Sequence, residues 1–128
     1  MSEIELLMNQ QKDFFNTNTT KSLSFRRKQL KALKTAILKY EDAIYDALWR
    51  DLHKAKFEVY ETEIGIVLAE ITYMLKNLEH LAKPQVHKPA LTLFPAKSFT
   101  IKEPFGVVLI ISPWNYPFQL ALTPLVGA

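Results

Sequence analysis

An apolar run that ends in a proline-rich turn decides the fold: Val107-Val108-Leu109-Ile110-Ile111-Ser112-Pro113-Trp114-Asn115-Tyr116-Pro117-Phe118. An unbroken apolar run bounded by turn signals is typical of a strand that is buried on both faces of a parallel sheet. Pro113 restricts Ser112 to extended conformations, so we predict that the strand ends there. Pro117 suits the first position of a helix, where its missing N–H is not needed. Asn115 then lies in a turn at the carboxyl end of the strand, where open α/β sheets bind their ligands.

The composition is that of an ordinary globular domain: 128 residues, of which 48% are hydrophobic and 23% charged. The net charge of +3 is too small over this length to indicate nucleic-acid binding by itself. The chain has no cysteine, which excludes disulfides, thiolate metal ligands and a cysteine nucleophile from these residues. Its first residues do not resemble a secretory signal, and no apolar run approaches the ~18 residues that a membrane span needs. We therefore expect a cytoplasmic protein with no membrane segment in this chain.

The distribution of proline divides the chain. All seven prolines lie at or after Pro84, so the preceding residues can form long helices. We predict an N-terminal helical region at residues 1–83, a proline-rich connector with a short strand or hairpin at 84–105, and a strand–turn–helix unit at 106–128. Within the connector, Phe99 and Ile101 alternate with polar residues, which indicates a short exposed strand.

Helical periodicity predicts three helices in residues 1–83. Ser2 and Glu5 have the spacing of a capping box, before an amphipathic helix of about 14 residues. A long second helix follows Ser22 or Ser24 and is expected to be interrupted near residues 40–42. The third helix covers residues 57–82. A further helix is expected after Pro117, and Pro124 should kink or shorten it.

Two charged segments suggest binding sites, each with a plainer explanation. The segment from Lys21 to Lys39 carries seven basic residues and no acidic one. Such a helix can bind phosphates or membrane surfaces, or it can simply present a solvated outer face. The third helix concentrates acidic residues in its N-terminal half, which suits the helix dipole. The acidic residues are Glu58, Glu61, Glu63 and Glu70. They have no histidine at metal-ligand spacing, so we predict no metal site.

The turn Glu103-Pro104-Phe105-Gly106-Val107-Val108, followed by residues 112–118, resembles the aldehyde dehydrogenase superfamily. In that family an E-P-x-G-V-x turn and strand lead into a P-W-N-x-P loop. Residues 58–81 are similar to the class 3 branch, which oxidises medium- and long-chain or aromatic aldehydes. The resemblance implies an α/β fold in which N-terminal helices lead into the first strand–turn–helix of a Rossmann-like parallel-sheet cofactor-binding domain. Residues 106–128 would be the start of that dinucleotide-binding domain.

The resemblance also implies a function, the NAD(P)-dependent oxidation of aldehydes to carboxylic acids. In the family a cysteine thiolate attacks the aldehyde and creates an oxyanion that needs hydrogen-bond donors. By this resemblance Asn115 supplies one of those donors, and Tyr116 lines the aldehyde pocket. The nicotinamide end of NAD or NADP would contact four consecutive residues, Ile111, Ser112, Pro113 and Trp114. The full-length protein would be a homodimer.

Other interpretations of the same residues stay open. Asn115 also suits a helix cap or a turn, Trp114 a core aromatic, and Tyr116 a cover for the edge of a core. The cysteine and glutamate of the family lie beyond the position that matches Ala128, so the chain would be an N-terminal portion that is inactive alone. The alternative function is a non-catalytic helical interaction module whose basic face is the Lys21–Lys39 segment. A related acyl-reducing enzyme with the same fold is a third interpretation.

Overall fold

The structure, a computed structural model, describes residues 2–128. Six α-helices and two short strands form in this part of the chain, together with 3₁₀ turns at Thr19–Lys21 and Leu91–Leu93. The helices are α1 (Glu3–Asn16), α2 (Leu23–Lys39), α3 (Glu41–Leu52), α4 (Lys56–Val59), α5 (Gly65–Ala82) and α6 (Pro117–Gly127). The strands are β1 (Gln85–His87) and β2 (Ser98–Thr100), which pair antiparallel with Val86 opposite Phe99.

The helix ends follow the local signals in the sequence. The Ser2 hydroxyl accepts the Glu5 N–H at 3.2 Å, and the Glu5 carboxylate accepts the Ser2 N–H at 2.7 Å, so the predicted capping box is confirmed. Ser22 caps α2 by accepting the Phe25 N–H. Tyr40 separates α2 from α3, at the predicted interruption.

A π turn at Tyr60–Ile64 joins α4 to α5, within the segment predicted as one helix. The Gly65 N–H donates to the carbonyl oxygen of Tyr60, five residues earlier. A Cβ atom at position 65 would lie 2.7 Å from that same oxygen, so the turn requires glycine for lack of space.

The core lies where α2, α3, α5 and α6 meet around the π turn. Helix α5 packs against α2 on one side and α6 on another, and α6 also contacts the π turn. Seven buried side chains form the core: Ile37, Leu48, Val59, Ile64, Val67, Ile71 and Val126. Helix α1 buries none of its side chains. No helix within residues 2–128 is long and apolar enough to cross a membrane.

One prediction for the last quarter of the chain is wrong. Residues 107–111 form no strand, and Leu109 and Ile111 are 83% and 84% exposed rather than buried. A strand needs a neighbour for its backbone hydrogen bonds, and among residues 2–128 only β1 and β2 form a ladder. Pro124 lies inside α6, which continues to Gly127, and the predicted kink at this proline stays a prediction. The predictions for Phe99 and for a helix that begins at Pro117 are confirmed.

Candidate active site

The predicted site residues lie together in a loop of residues 111–116, directly before α6. Ile111 and Trp114 are 84% and 86% exposed, so Trp114 is not a core aromatic. Ser112 is half-buried, and Pro113 and Asn115 are exposed. The loop therefore presents a mostly apolar, open surface with one amide side chain on it.

A buried lysine holds the backbone of this loop. His53 adopts a left-handed conformation and ends α3, and Lys54 follows it with only 8% of its surface exposed. The Lys54 ammonium donates to the carbonyl oxygen of Asn115 at 2.8 Å and to Oε1 of Glu63 at 2.6 Å. It also lies 3.9 Å from the ring centroid of Tyr116. The Lys54 ammonium, itself held by Glu63, thus fixes Asn115 and Tyr116, the last two residues of the loop.

Glu63 connects this lysine to the beginning of α6. Its side chain is fully buried, and its second oxygen, Oε2, accepts the backbone N–H groups of Phe118 at 3.1 Å and Gln119 at 2.9 Å. The first residue of α6 is Pro117, which has no N–H to satisfy. A carboxylate from the π turn therefore caps α6, at the end of the helix where negative charge is favourable.

The Asn115 side chain takes no part in this capping. The residue at the cap position of α6 is Tyr116, and the capping carboxylate belongs to Glu63. Only the backbone carbonyl of Asn115 is bound, and its amide group has no hydrogen-bond partner within residues 2–128. The helix-cap interpretation of Asn115 is therefore wrong, and its N–H groups are free to donate to another molecule.

Tyr116 has a structural contact of its own. Its ring packs against the Lys54 ammonium and remains 36% exposed, so it covers one edge of the buried charge pair. This matches the interpretation of Tyr116 as a cover for a core edge. Its part in an aldehyde pocket stays a prediction.

Part of the basic segment makes contacts within the chain. In the basic segment, Arg26 donates to the carbonyl of Thr20, Arg27 to the carbonyl of Leu75, and Lys34 to the hydroxyl of Thr72. These three basic side chains therefore bind other parts of the same chain. Within residues 2–128 no group of three acidic, histidine or cysteine side chains could hold a metal ion.

The sequence did not reveal Lys54 as a residue of the site, nor did it reveal the role of Glu63. One signal was present: Glu63 lies four residues from Val59 and from Val67, and all three are fully buried. A charged residue in an apolar stripe at helical spacing predicts a buried partner, because an unpaired charge is too unfavourable in a core. Nothing local indicated that the partner is Lys54.

Comparison with known proteins agrees with the motif at residues 103–118. A sequence model of the Aldehyde dehydrogenase family matches residues 2–128. The 4,4'-diaponeurosporen-aldehyde dehydrogenase of Staphylococcus aureus (strain NCTC 8325 / PS 47) is 51% identical over the whole chain, which covers 28% of that protein. The rat aldehyde dehydrogenase family 3 member B1 is 41% identical over the whole chain, which covers 27% of it. The dog relative, named dimeric and NADP-preferring, is 38% identical over the whole chain, which covers 28% of it.

The fold agrees as well. A solved structure of Staphylococcus aureus AldH in a substrate-bound state superposes with a TM-score of 0.97 and 50% identity. The superposition covers 99% of this chain and 28% of that one, so the chain spans little more than a quarter of its relatives. Apart from the strand at residues 107–111, the predicted fold class is thereby confirmed, and so is the resemblance to the class 3 branch. The chain belongs to the aldehyde dehydrogenase family.

Proposed function

We propose that this chain supplies the oxyanion-binding side of the active site of an NAD(P)-dependent aldehyde dehydrogenase. The enzyme oxidises medium- or long-chain aliphatic or aromatic aldehydes to carboxylic acids. The observation that carries the proposal is the Asn115 amide, which has no partner within residues 2–128 and lies on a backbone held by Lys54. Family membership over residues 2–128 and similarity to the family 3 relatives support it.

The chemistry needs a neutral donor at this place. When a thiolate attacks an aldehyde, the carbonyl oxygen acquires negative charge, and a donor fixed in advance stabilises that charge. An amide can donate an N–H to the oxyanion without giving up its proton. Asn115 meets this requirement because its amide is exposed and has no competing acceptor in residues 2–128.

The loop is also suited to hold the nicotinamide end of NAD or NADP. Ile111 and Trp114 expose apolar side chains that can pack against a flat ring, beside Ser112 and Pro113. The backbone groups of Ile111 and Ser112 have no hydrogen-bond partner in the described part of the chain, so they can bind a carboxamide. When bound, the cofactor accepts the hydride that the aldehyde loses. The proposal includes both NAD and NADP as cofactors.

The test is an Asn115→Ala variant of the full-length protein that contains this chain. Reduction of NAD and of NADP would be followed by absorbance with octanal and with benzaldehyde. Removing one oxyanion donor is expected to lower kcat by about 10²–10³-fold. Asn77→Ala is the matched control, because Asn77 is a half-buried asparagine on α5 whose amide donates to the Tyr73 carbonyl, away from the loop. An Asn115→Ala enzyme with a wild-type kcat would contradict the proposal.

Several further features stay predictions. We propose that the full-length protein is a homodimer, which light scattering after size-exclusion chromatography would check. The inactivity of the 128 residues alone and a cytoplasmic location are also predictions.

A further inference from the structure

We propose that Lys54 and Glu63 are positioning residues for the oxyanion donor. Their buried ion pair fixes the Asn115 backbone and thereby the direction of its amide. The inference rests on the proposed function and deepens it, since it assigns a role in catalysis to two residues that need not touch substrate or cofactor.

The first observation is the arrangement around the ammonium. Lys54 Nζ has three N–H donors, and two of its contacts are the Glu63 carboxylate at 2.6 Å and the Asn115 carbonyl at 2.8 Å. The face of the Tyr116 ring lies on another side, 3.9 Å from Nζ to the ring centroid. Lys54 is almost fully buried, so water competes little with these contacts. A charge-assisted bond to a carbonyl in such surroundings restrains it strongly.

The second observation is that Glu63 holds the chain just beyond Asn115. Its Oε2 binds the Phe118 and Gln119 N–H groups, while its Oε1 binds Lys54. One carboxylate thus restrains α6 directly and Asn115 through the lysine. A residue in an exposed loop is normally mobile, but Asn115 lies beside two anchors that share a single buried side chain.

A merely stabilising role explains the pair poorly. Replacing a buried ion pair by uncharged side chains of similar shape is often neutral for stability. A catalytic donor, in contrast, has to be held within about 0.5 Å of its productive position, which needs rigid support. The bond from Lys54 to the Asn115 carbonyl provides such support, and an apolar pair could not replace it.

The experiment is a mutant cycle in the full-length enzyme. It compares the wild type, Asn115→Ala, the double variant Lys54→Met with Glu63→Gln, and the triple variant. The double variant removes both charges together and leaves a glutamine oxygen to accept from α6. Glutamine keeps the length of Glu63, and methionine is an unbranched side chain one atom shorter than lysine. We expect its kcat for octanal to fall by about 10–100-fold, because a small misplacement of a catalytic group can have an effect of that size. The KM is expected to change by less than about threefold, since the pair does not touch the aldehyde.

The cycle separates positioning from general stabilisation. If the pair acts through Asn115, adding its replacement to Asn115→Ala lowers kcat by less than about threefold more, since coupled residues are not additive. If the two losses multiply, the proposal is overturned. An unchanged kcat in the double variant, beside a large loss in Asn115→Ala, overturns the positioning role and leaves the proposed function intact. An unchanged kcat in Asn115→Ala overturns both.

A control pair and a milder variant complete the experiment. The control is Asp42→Asn with Lys56→Met, an ion pair of 3.6 Å whose side chains are 93% and 72% exposed, and it should leave kcat unchanged. Glu63→Asp serves as a milder variant if the double variant does not fold. It keeps both charges but shortens the reach to Lys54 and α6, so the same lowered kcat and the same coupling to Asn115→Ala are expected. A wild-type kcat in Glu63→Asp would contradict the proposal if a crystal structure of that variant shows the shortened carboxylate too far from Lys54 for a hydrogen bond.

Discussion

In Asn115 the backbone carbonyl has a structural role, and the side-chain amide has the proposed chemical role. Its carbonyl is held by Lys54, while its amide has no partner in residues 2–128. Had the side chain capped α6, its acceptor oxygen would have been committed to the helix. Glu63 takes over that task from a separate part of the chain, and the asparagine amide stays available.

At the scale of single residues, Tyr45 leads to a prediction about how the stability of the fold depends on pH. Burial, together with a hydrogen bond from its hydroxyl to Glu41, raises the pKa of Tyr45 from 10.0 to about 12. Between these values the unfolded chain loses the tyrosine proton while the folded chain keeps it. The folded state therefore binds more protons, and its stability falls as the pH rises from 10.0 to about 12.

We expect this loss of stability at high pH to be smaller in Tyr45→Phe, because phenylalanine has no hydroxyl proton to release. Urea-unfolding midpoints of both proteins at pH 9 and pH 11 would check it. Glu41→Gln removes the charged acceptor and should give an intermediate loss. Equal losses in the wild type and Tyr45→Phe would contradict the assignment.

At the scale of elements, the π turn between α4 and α5 carries Glu63. The turn depends on Gly65, because a side chain there would press against the Tyr60 carbonyl at 2.7 Å. A π turn adds a residue to the helix and changes the direction of the side chains around it, and such turns are frequent at functional sites. Here the turn is part of the segment that buries Glu63 against α6.

Gly65→Ala should destabilise the protein by about 1–2 kcal/mol. Overpacking of this kind is unfavourable by about 1–3 kcal/mol, and the better helix propensity of alanine offsets at most about 1 kcal/mol. Gly127→Ala is the control, because no atom lies within 4 Å of an added Cβ, and it should be neutral or slightly stabilising. The free energies of unfolding in urea would compare the two. A Gly65→Ala protein as stable as the wild type would mean that the turn does not depend on glycine.

At the scale of the whole molecule, apolar side chains remain uncovered in and before the 111–116 loop. Phe105 is fully exposed, and Leu109, Ile111 and Trp114 are each more than four-fifths exposed. Soluble monomers seldom expose large contiguous apolar patches. In the 50% identical Staphylococcus aureus AldH, this chain corresponds to 28% of the polypeptide, so that protein has many further residues.

The purified 128-residue chain is therefore expected to self-associate. Light scattering over a range of protein concentrations would measure it, and Leu109→Lys with Ile111→Lys should reduce the association by placing charges on the apolar segment. Lys28→Ala with Lys31→Ala on α2 would serve as a control away from this surface. A monomer at all concentrations would show that these exposed side chains do not drive association.

The sequence by itself determined where α1, α2 and α6 begin, and it located the loop that carries Asn115. Caps and prolines act over a few residues, so Ser2, Ser22 and Pro117 could be interpreted without knowledge of the fold. The family motif lies in one continuous stretch and was identifiable for the same reason. The strand at residues 107–111 could not be predicted correctly, because a strand forms only when another strand supplies hydrogen bonds.

Only the tertiary structure decided how the Asn115 loop is held. Lys54 reaches Asn115 across 61 residues of sequence, and Glu63 reaches Phe118 across 55. Each is a charged side chain whose local sequence also suits the surface. Burial turns them into a pair, since neither charge is stable in the core without the other and without the loop and helix groups that they bind. Such contacts arise from packing over long distances along the chain, which local patterns do not encode.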